Sequence, residues 1–189
     1  MNIDINQLMA ATGAARANAS RKLQPLNIAM AAYAIDTPQR VAMFLANVGH
    51  ETLGLVYARE IWGPTPAQVG YEGRADLGNV RPGDGKRFLG RGDLQTTGRG
   101  NYVRLSERLR ARGIACPDFE AEPQALETDQ WASFSAADYV DMRGLNRHAD
   151  AGDFLAYSIG VNGRNKRTNL PNGWEHRKAL FDAARSALA

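Results

Sequence analysis

Helical periodicity at both ends of the chain, and its loss in the middle, is the feature that most limits the fold. Before Gly54 and after about residue 102, apolar residues recur every three or four positions, whereas residues 54–92 are punctuated by glycine and proline. A loop of this length inside a compact domain is unusual and is often functional. With 189 residues and 44% hydrophobic content, the pattern predicts one mainly α-helical domain over 1–189, with two lobes and a loop-rich segment that lines a groove.

One helix start is marked clearly. Thr37 is a good N-cap and Pro38 suits the first helical position, while Gly49 and Gly54 bracket the end, so Glu51 is expected in or near the last turn. The other predicted helices span about 5–11, 14–33 with a break near Pro25, 102–112, 129–143, a helix through 159 capped by Asp150 or Asp153, and a last helix from about 172. Short strands are predicted around 55–60 and 88–95.

Charge and composition exclude several classes of protein. The net charge of +3 and pI of about 9.2 suit a polyanionic partner such as nucleic acid or a bacterial cell wall. No nucleic-acid motif appears, and the basic residues are not interleaved with aromatic ones, so no nucleic-acid partner is predicted. No apolar run approaches the roughly 20 residues of a membrane span, so the protein is not expected to be embedded in a membrane, and a monomer is the expectation.

The sequence predicts neither a cofactor nor a metal site. Cys116 is the only cysteine, so it can form no internal disulfide and no cysteine-based metal site. His50, His148 and His176 lack metal-ligand spacing, and the glycines near residue 92 lack the lysine of a phosphate-binding loop. The N-terminus shows no secretory signal, so a cytoplasmic store that acts after release or delivery is expected.

Two glutamates offer the parts of a glycosidase. Glu51 at a helix C-terminus faces the negative end of the macrodipole, which disfavours the charged form of its carboxyl and suits a general acid. Glu60 follows nine residues later, past Gly54, and faces Glu51 if the chain turns there. A separation of roughly 6.5–9.5 Å between the carboxyls predicts inversion, and about 5–5.5 Å predicts retention. The alternatives are a solvated helix end for Glu51 and a surface ion pair for Glu60.

Polar side chains near residue 95 complete the candidate site. Gln95 and Thr97 point to the same side if their segment is extended. A hydroxyl can hold an attacking water, and an amide can bind a sugar hydroxyl or N-acetyl group. The alternative is an ordinary polar turn. Asn162, in a turn signal with Gly163, is a further ligand candidate, and a basic cluster in the C-terminal region suits an anionic polymer or a solvated face: Arg164, Lys166, Arg167 and Arg177.

Several blocks of sequence, in this order, resemble glycoside hydrolase family 19. They are FLANVGHETLG, YARE, YEGRADLGN, PGDGKRFLGRGDLQTTGRGNY and SIGVNGRN, followed by WEHRKALF. That family contains plant-type chitinases and phage or prophage endolysins, and the similarity, from about Asn6 onward, is greatest to the endolysin branch. The resemblance implies a lysozyme-like helical fold and inverting cleavage of peptidoglycan without a cofactor.

The resemblance also implies residue roles. Glu51 matches the general acid, Glu60 the base, and Thr97 the hydroxyl that holds the water. The matching substrate-binding positions are Gln95, Asn101, Asn162 and Arg177, of which Arg177 matches a basic residue that supports the site. Two departures stand out: Asp93 replaces a commonly apolar residue and either borders the cleft or faces solvent, and Glu72 is a second candidate for the base.

The leading hypothesis is therefore a bacteriolytic peptidoglycan hydrolase that cleaves β-1,4 bonds between N-acetylmuramic acid and N-acetylglucosamine. A chitinase on the same scaffold is the nearest alternative. A catalytically inactive wall-binding module is a third hypothesis, although such a module would be expected to lack one of the paired carboxylates.

Overall fold

A computed structural model describes residues 1–189. It contains ten α-helices and two 3₁₀-helices and no β-strand, so the predicted mainly α-helical class is confirmed. The α-helices are α1 Ile5–Thr12, α2 Arg16–Ala32, α3 Pro38–Glu51, α4 Pro66–Val69, α5 Asp84–Arg87, α6 Arg99–Ala111, α7 Asp129–Met142, α8 Asn146–Asp150, α9 Phe154–Asn162 and α10 Trp174–Leu188, and the 3₁₀-helices are Ala75–Leu77 and Pro123–Glu127. All of them are too short or too polar to traverse a lipid bilayer.

Helix α3 lies at the centre of the fold. Its predicted start is confirmed: the Thr37 hydroxyl accepts the Arg40 N–H at 3.2 Å, and Pro38 occupies the first turn. Every residue from Val41 to Gly49 is buried, and α3 packs against α1 and α10. At Gly49 a Cβ atom would lie only 2.6 Å from the Thr12 carbonyl oxygen. The close approach of α1 therefore requires glycine here and fixes the end of α3.

Helix α2 corrects one prediction. No break occurs near Pro25, and the helix runs through it. Proline in a helix interior removes one backbone hydrogen bond and costs about 3 kcal/mol. Here Leu26, Ala29 and Met30 of α2 are fully buried, and α2 packs along α7, so burial of its apolar face offsets that cost. The pairs α2–α7 and α3–α10 are among the most extensively packed helix pairs of the fold.

The irregular middle segment is confirmed, but it holds more helix and less strand than predicted. Three short helical turns interrupt it, and the two expected strands reduce to two isolated antiparallel bridges, Arg59–Arg91 and Arg91–Thr96. The Glu60 N–H donates to the Gly90 carbonyl at 2.9 Å, and the Gly92 N–H donates to the Ala58 carbonyl at 2.8 Å. These bonds hold residues 58–60 beside residues 90–92.

The C-terminal half follows the predicted helices within a few residues. Of the two candidate caps, Asp153 is the one used for α9, since its carboxylate accepts the Ala156 N–H at 2.8 Å. Helix α8 was not predicted, because five residues are too few to show a helical period. A cluster of 37 buried apolar residues connects helices from both ends of the chain.

Candidate functional site

Glu51 is the last residue of α3, as predicted. Its side chain is 20% exposed and forms an ion pair with the guanidinium of Arg177 through Oε1. The Asn162 amide lies 3.4 Å from the same oxygen. Oε2 accepts no hydrogen bond from the protein. Glu51 is therefore anchored through one carboxyl oxygen, and the other is available to a ligand.

Arg177 is buried beneath Glu51, with no exposed surface. Its Nη1 donates to Asn47 Oδ1 at 2.7 Å and its Nε donates to the Asn172 carbonyl at 3.0 Å. The expectation that Arg177 binds substrate, or belongs to a surface patch for an anionic polymer, is corrected: a side chain without exposed area has no surface to offer a polymer. Its contacts instead orient Glu51.

A pair of histidines adjoins this anchor. His50 Nδ1 and His176 Nδ1 are 2.8 Å apart, which joins the end of α3 to the first turn of α10. Burial lowers the pKa of His50 to about 4, and the positive charge of Arg177 acts in the same direction. His50 is therefore neutral near pH 7, and its contact with His176 braces the two helices that carry Glu51 and Arg177.

Glu60 is held on both carboxylate oxygens. Oε1 accepts the Gly90 N–H at 2.6 Å, and Oε2 accepts the Gln68 amide at 3.0 Å and the Tyr71 hydroxyl at 3.4 Å. Burial raises the pKa of Tyr71, and the charge of Glu60 adds to this effect. A carboxylate has about four acceptor positions, so three are filled here and one remains for a water. The predicted alternative, an ion pair with a surface base, is not present.

Glu72 has a different environment. Its Oε1 accepts the Gly83 N–H at 2.7 Å, and its Oε2 accepts the Gly85 N–H at 2.8 Å. Both oxygens therefore bind one turn of the middle segment, just before and at the start of α5. Nothing in these contacts involves Gln95 or Thr97, so the geometry gives Glu72 a bracing role.

Gln95 and Thr97 meet at Gly90. A Cβ atom added to Gly90 would lie 2.3 Å from Gln95 Oε1 and 3.1 Å from Thr97 Oγ1. The same glycine donates its N–H to Glu60, so the Glu60 carboxylate, the amide and the hydroxyl converge around a position where only glycine fits. The premise of an extended segment was wrong, because Gln95 has a left-handed backbone with φ of 58°. The side chains of Gln95 and Thr97 nevertheless lie on the same side of the turn, as predicted, since both approach Gly90.

Asp93 neither borders the cleft nor faces solvent, which corrects both expectations. It is fully buried, and its Oδ1 lies 2.6 Å from the ammonium of Lys22, which is 1% exposed. The Ser133 hydroxyl donates to the other oxygen at 3.3 Å, and the Asp93 N–H donates to the Ala132 carbonyl at 3.2 Å. The buried ion pair therefore fastens the turn that carries Gln95 to α2 and α7.

A cavity of about 440 Å³, including the part open to solvent, continues from this turn. Gln95, Thr97 and Asn101 line it together with Tyr139 of α7. The Asn101 amide donates to the Thr97 carbonyl at 2.6 Å, so Asn101 also holds the turn in place. Burial raises the pKa of Tyr139. The positive charge of Arg143 lowers this pKa, and the negative charge of Glu51 raises it further. Tyr139 therefore lies within electrostatic reach of Glu51.

A second, open groove borders Glu60. Its lining includes the exposed ring of Tyr57 and the half-buried ring of Trp62. Aromatic faces of this kind stack well against sugar rings, because they combine a large apolar area with a fixed orientation. Glu60 thus lies between an aromatic groove and the polar turn of Thr97.

Sequence reasoning missed four residues that hold the site. Asn47 was detectable in principle: it is a polar residue within an apolar run, four positions before Glu51, and therefore on the same helix face. No local sequence signal marked the other three, Gln68, Tyr71 and Lys22. Each donates a hydrogen bond to a carboxylate that becomes its neighbour only in the folded chain.

Two solved structures share this fold. Chitinase C from Streptomyces griseus has a TM-score of 0.73 at 22% identity, covering 98% of this chain and 76% of that one. A bacterial family 19 chitinase has a TM-score of 0.69 at 22% identity, covering 99% of this chain and 95% of that one. The sequence matches no protein-family model. At such identities the likeness establishes the fold, and the expected family 19 type of fold is confirmed.

Proposed function

We propose that this protein hydrolyses the β-1,4 glycosidic bonds of bacterial peptidoglycan with inversion, as an enzyme of the endolysin type. The observation that carries the proposal is the contrast between its two carboxyl groups. Glu51 is anchored through one oxygen with the other free, whereas Glu60 is held on both oxygens beside Thr97. Two carboxyls in different environments are what an acid and a base for glycoside cleavage require.

Glu51 is the general acid in this proposal. Its free Oε2 carries the proton and delivers it to the glycosidic oxygen, which leaves as the hydroxyl of the departing sugar. Arg177 and Asn162 keep the carboxyl in one orientation through Oε1. Arg177 also attracts the negative charge that Glu51 carries once it has given up its proton, an ion pair that sequence reasoning did not foresee. That attraction stabilises the product of proton transfer, so it assists the step once the sugar oxygen takes the proton.

Glu60 is the general base. Three hydrogen-bond donors hold its carboxylate in place, and the remaining acceptor position takes the proton of a water. Thr97 holds that water from the other side of Gly90. The water oxygen bonds to the anomeric carbon on the face opposite the leaving group, and the anomeric configuration inverts.

Peptidoglycan is the proposed polymer for two reasons. The sequence blocks resemble the endolysin branch, and the net charge of +3 suits an anionic wall. A chitinase is the second candidate, and the fold shared with chitinase C favours it specifically. Digestion of purified peptidoglycan and colloidal chitin in parallel, with new reducing ends identified by mass spectrometry, separates the two. Release of N-acetylmuramic acid ends supports the proposal, whereas no hydrolysis of either polymer refutes it and leaves an inactive wall-binding module.

Substitutions test the residue roles. General acid or base assistance is typically worth about 10²–10⁴-fold, so Glu51→Gln and Glu60→Gln should each lower kcat by that order, and Thr97→Ala should cost less. Glu72→Gln is the matched control, since Glu72, like Glu60, is held on both carboxylate oxygens but braces another turn. Loss of activity in Glu72→Gln with full activity in Glu60→Gln would show that the base is assigned wrongly.

A further inference from the structure

The cavity beyond Thr97 contains an arginine without a partner. Arg143 follows the last residue of α7, and its guanidinium lies over the ring of Tyr139, 4.8 Å from the ring centre. The side chain is exposed to the cavity and forms neither a hydrogen bond nor an ion pair with the protein. All five N–H donors of this guanidinium are therefore free for a ligand.

The other charges of the cavity cancel. Arg108 donates from Nε and Nη2 to Asp138 Oδ2 at 2.9 and 2.5 Å. Asp138 Oδ1 additionally accepts the Tyr33 hydroxyl at 3.2 Å. Nearby Asp141 is engaged by Arg112 at 2.5 Å. Since the cavity wall holds two arginines and one aspartate, the guanidinium of Arg143 leaves one uncompensated positive charge.

The position of this charge connects it to the proposed site. The Tyr139 hydroxyl donates to the Val161 carbonyl, and the next residue, Asn162, places its amide 3.4 Å from Glu51 Oε1. The Tyr139 hydroxyl is fixed by the Val161 carbonyl at 3.0 Å, at the end of α9, so the ring under Arg143 does not swing. A glycan that passes Glu51 and enters the cavity along Gln95 therefore brings its substituents to the Arg143 side.

We propose that Arg143 binds a carboxylate carried by the glycan, so that the cavity selects an anionic polysaccharide over a neutral one. The inference rests on the proposed function and names its substrate class. Guanidinium and carboxylate match in a two-point geometry, and the planar ring of Tyr139 orients the guanidinium. In peptidoglycan the carboxylate belongs either to the lactyl ether of muramic acid or to the attached peptide. Chitin carries neither group.

A structural explanation of Arg143 is also available. A cation at a helix C-terminus stabilises the helix, and a guanidinium over an aromatic ring gains a cation–π contact. Arg185 provides a matched control. It lies in the last turn of α10 and over the ring of Phe181, four residues earlier, just as Arg143 lies over Tyr139. Arg185 does not line the cavity, so it has the structural role alone.

Calorimetric titration of the full chain with Glu51→Gln tests the proposal. The probes are chitotetraose, a peptide-free tetrasaccharide of alternating N-acetylglucosamine and N-acetylmuramic acid, and the same tetrasaccharide with its peptides attached. Arg143→Gln should weaken binding of an anionic probe about tenfold, since a charge-assisted hydrogen bond is lost, and leave chitotetraose within twofold. Arg143→Lys should recover part of the loss, and Arg185→Gln should change nothing.

The outcomes are distinct. A loss confined to the peptide-free probe assigns the lactyl carboxylate, and a loss confined to the peptide-bearing probe assigns the peptide. Equal weakening of chitotetraose, or no weakening of either anionic probe, overturns the inference. If Arg143→Gln lowers the melting temperature, Arg143→Lys is the variant to compare. Anionic selectivity without hydrolysis of any polymer by the unaltered protein would refute the proposed function but not the cavity's preference.

Discussion

Removal of one partner of the buried Lys22–Asp93 pair should destabilise the protein severely. In Lys22→Met the carboxylate of Asp93, which has no exposed area, keeps only the Ser133 hydroxyl at 3.3 Å. Breaking a buried ion pair on one side typically costs about 3–5 kcal/mol. For a domain of this size, 1 kcal/mol corresponds to about 2–4 °C in Tm, so we expect a loss of about 10 °C.

The double substitution Lys22→Met with Asp93→Leu should restore most of that loss. Replacing both charges by apolar groups of similar volume is often neutral, because no unpaired charge remains buried. Thermal and urea unfolding of the two single variants and the double variant give the coupling energy. A Lys22→Met protein within 1 kcal/mol of the parent, or a double variant that is no more stable than the singles, would refute this account of how the Gln95 turn is held.

Two further predictions concern pH and salt. The pKa of His50 is lowered to about 4 in the folded protein. Between about pH 6.5 and about pH 4 the unfolded chain therefore binds a proton at His50 and the folded protein does not. The free energy of unfolding should fall as the pH is lowered through this range. The free energy of unfolding should fall by about 1 kcal/mol for this half-buried ring. Urea unfolding of His50→Gln, which lacks the titrating group, should show a correspondingly flatter pH dependence. An unchanged pH dependence would contradict the lowered pKa of His50. Replacement of three exposed cations by glutamine should weaken binding of Glu51→Gln protein to cell walls at low ionic strength but not at high ionic strength, and salt-independent binding would remove electrostatics from the account. The three are Arg164, Lys166 and Arg167.

Local signals predicted much of the fold. The start of α3 depends on the Thr37 cap and on Pro38, and its end at Glu51 depends on the flanking glycines. Both ends of the helix could therefore be predicted from neighbouring residues. Pro25 was misread because the helix through it is maintained by packing against α7. Periodicity describes one segment at a time and does not report what a distant helix contributes.

Candidate site residues could be chosen from the sequence where a residue type and its own segment sufficed. Glu51, Glu60 and Thr97 were selected in that way, and the structure places Glu60 and Thr97 around Gly90. The partners that hold the carboxyl groups were less accessible. Lys22 lies 71 positions from Asp93, and Arg177 lies 126 positions from Glu51. Burial of Arg177 follows from three-dimensional packing alone, which explains why it was taken for a surface cation.

The anomeric configuration of the first-formed product tests the central claim most directly. The unaltered protein is mixed with a peptidoglycan glycan, and proton NMR reads the new reducing end before mutarotation equilibrates it. Attack by a water that Glu60 activates, on the face opposite the oxygen that Glu51 protonates, must convert the β-linkage into an α-anomer. A β-anomer as the first product would contradict the account, because retention requires two successive displacements at the anomeric carbon and this division of roles contains one.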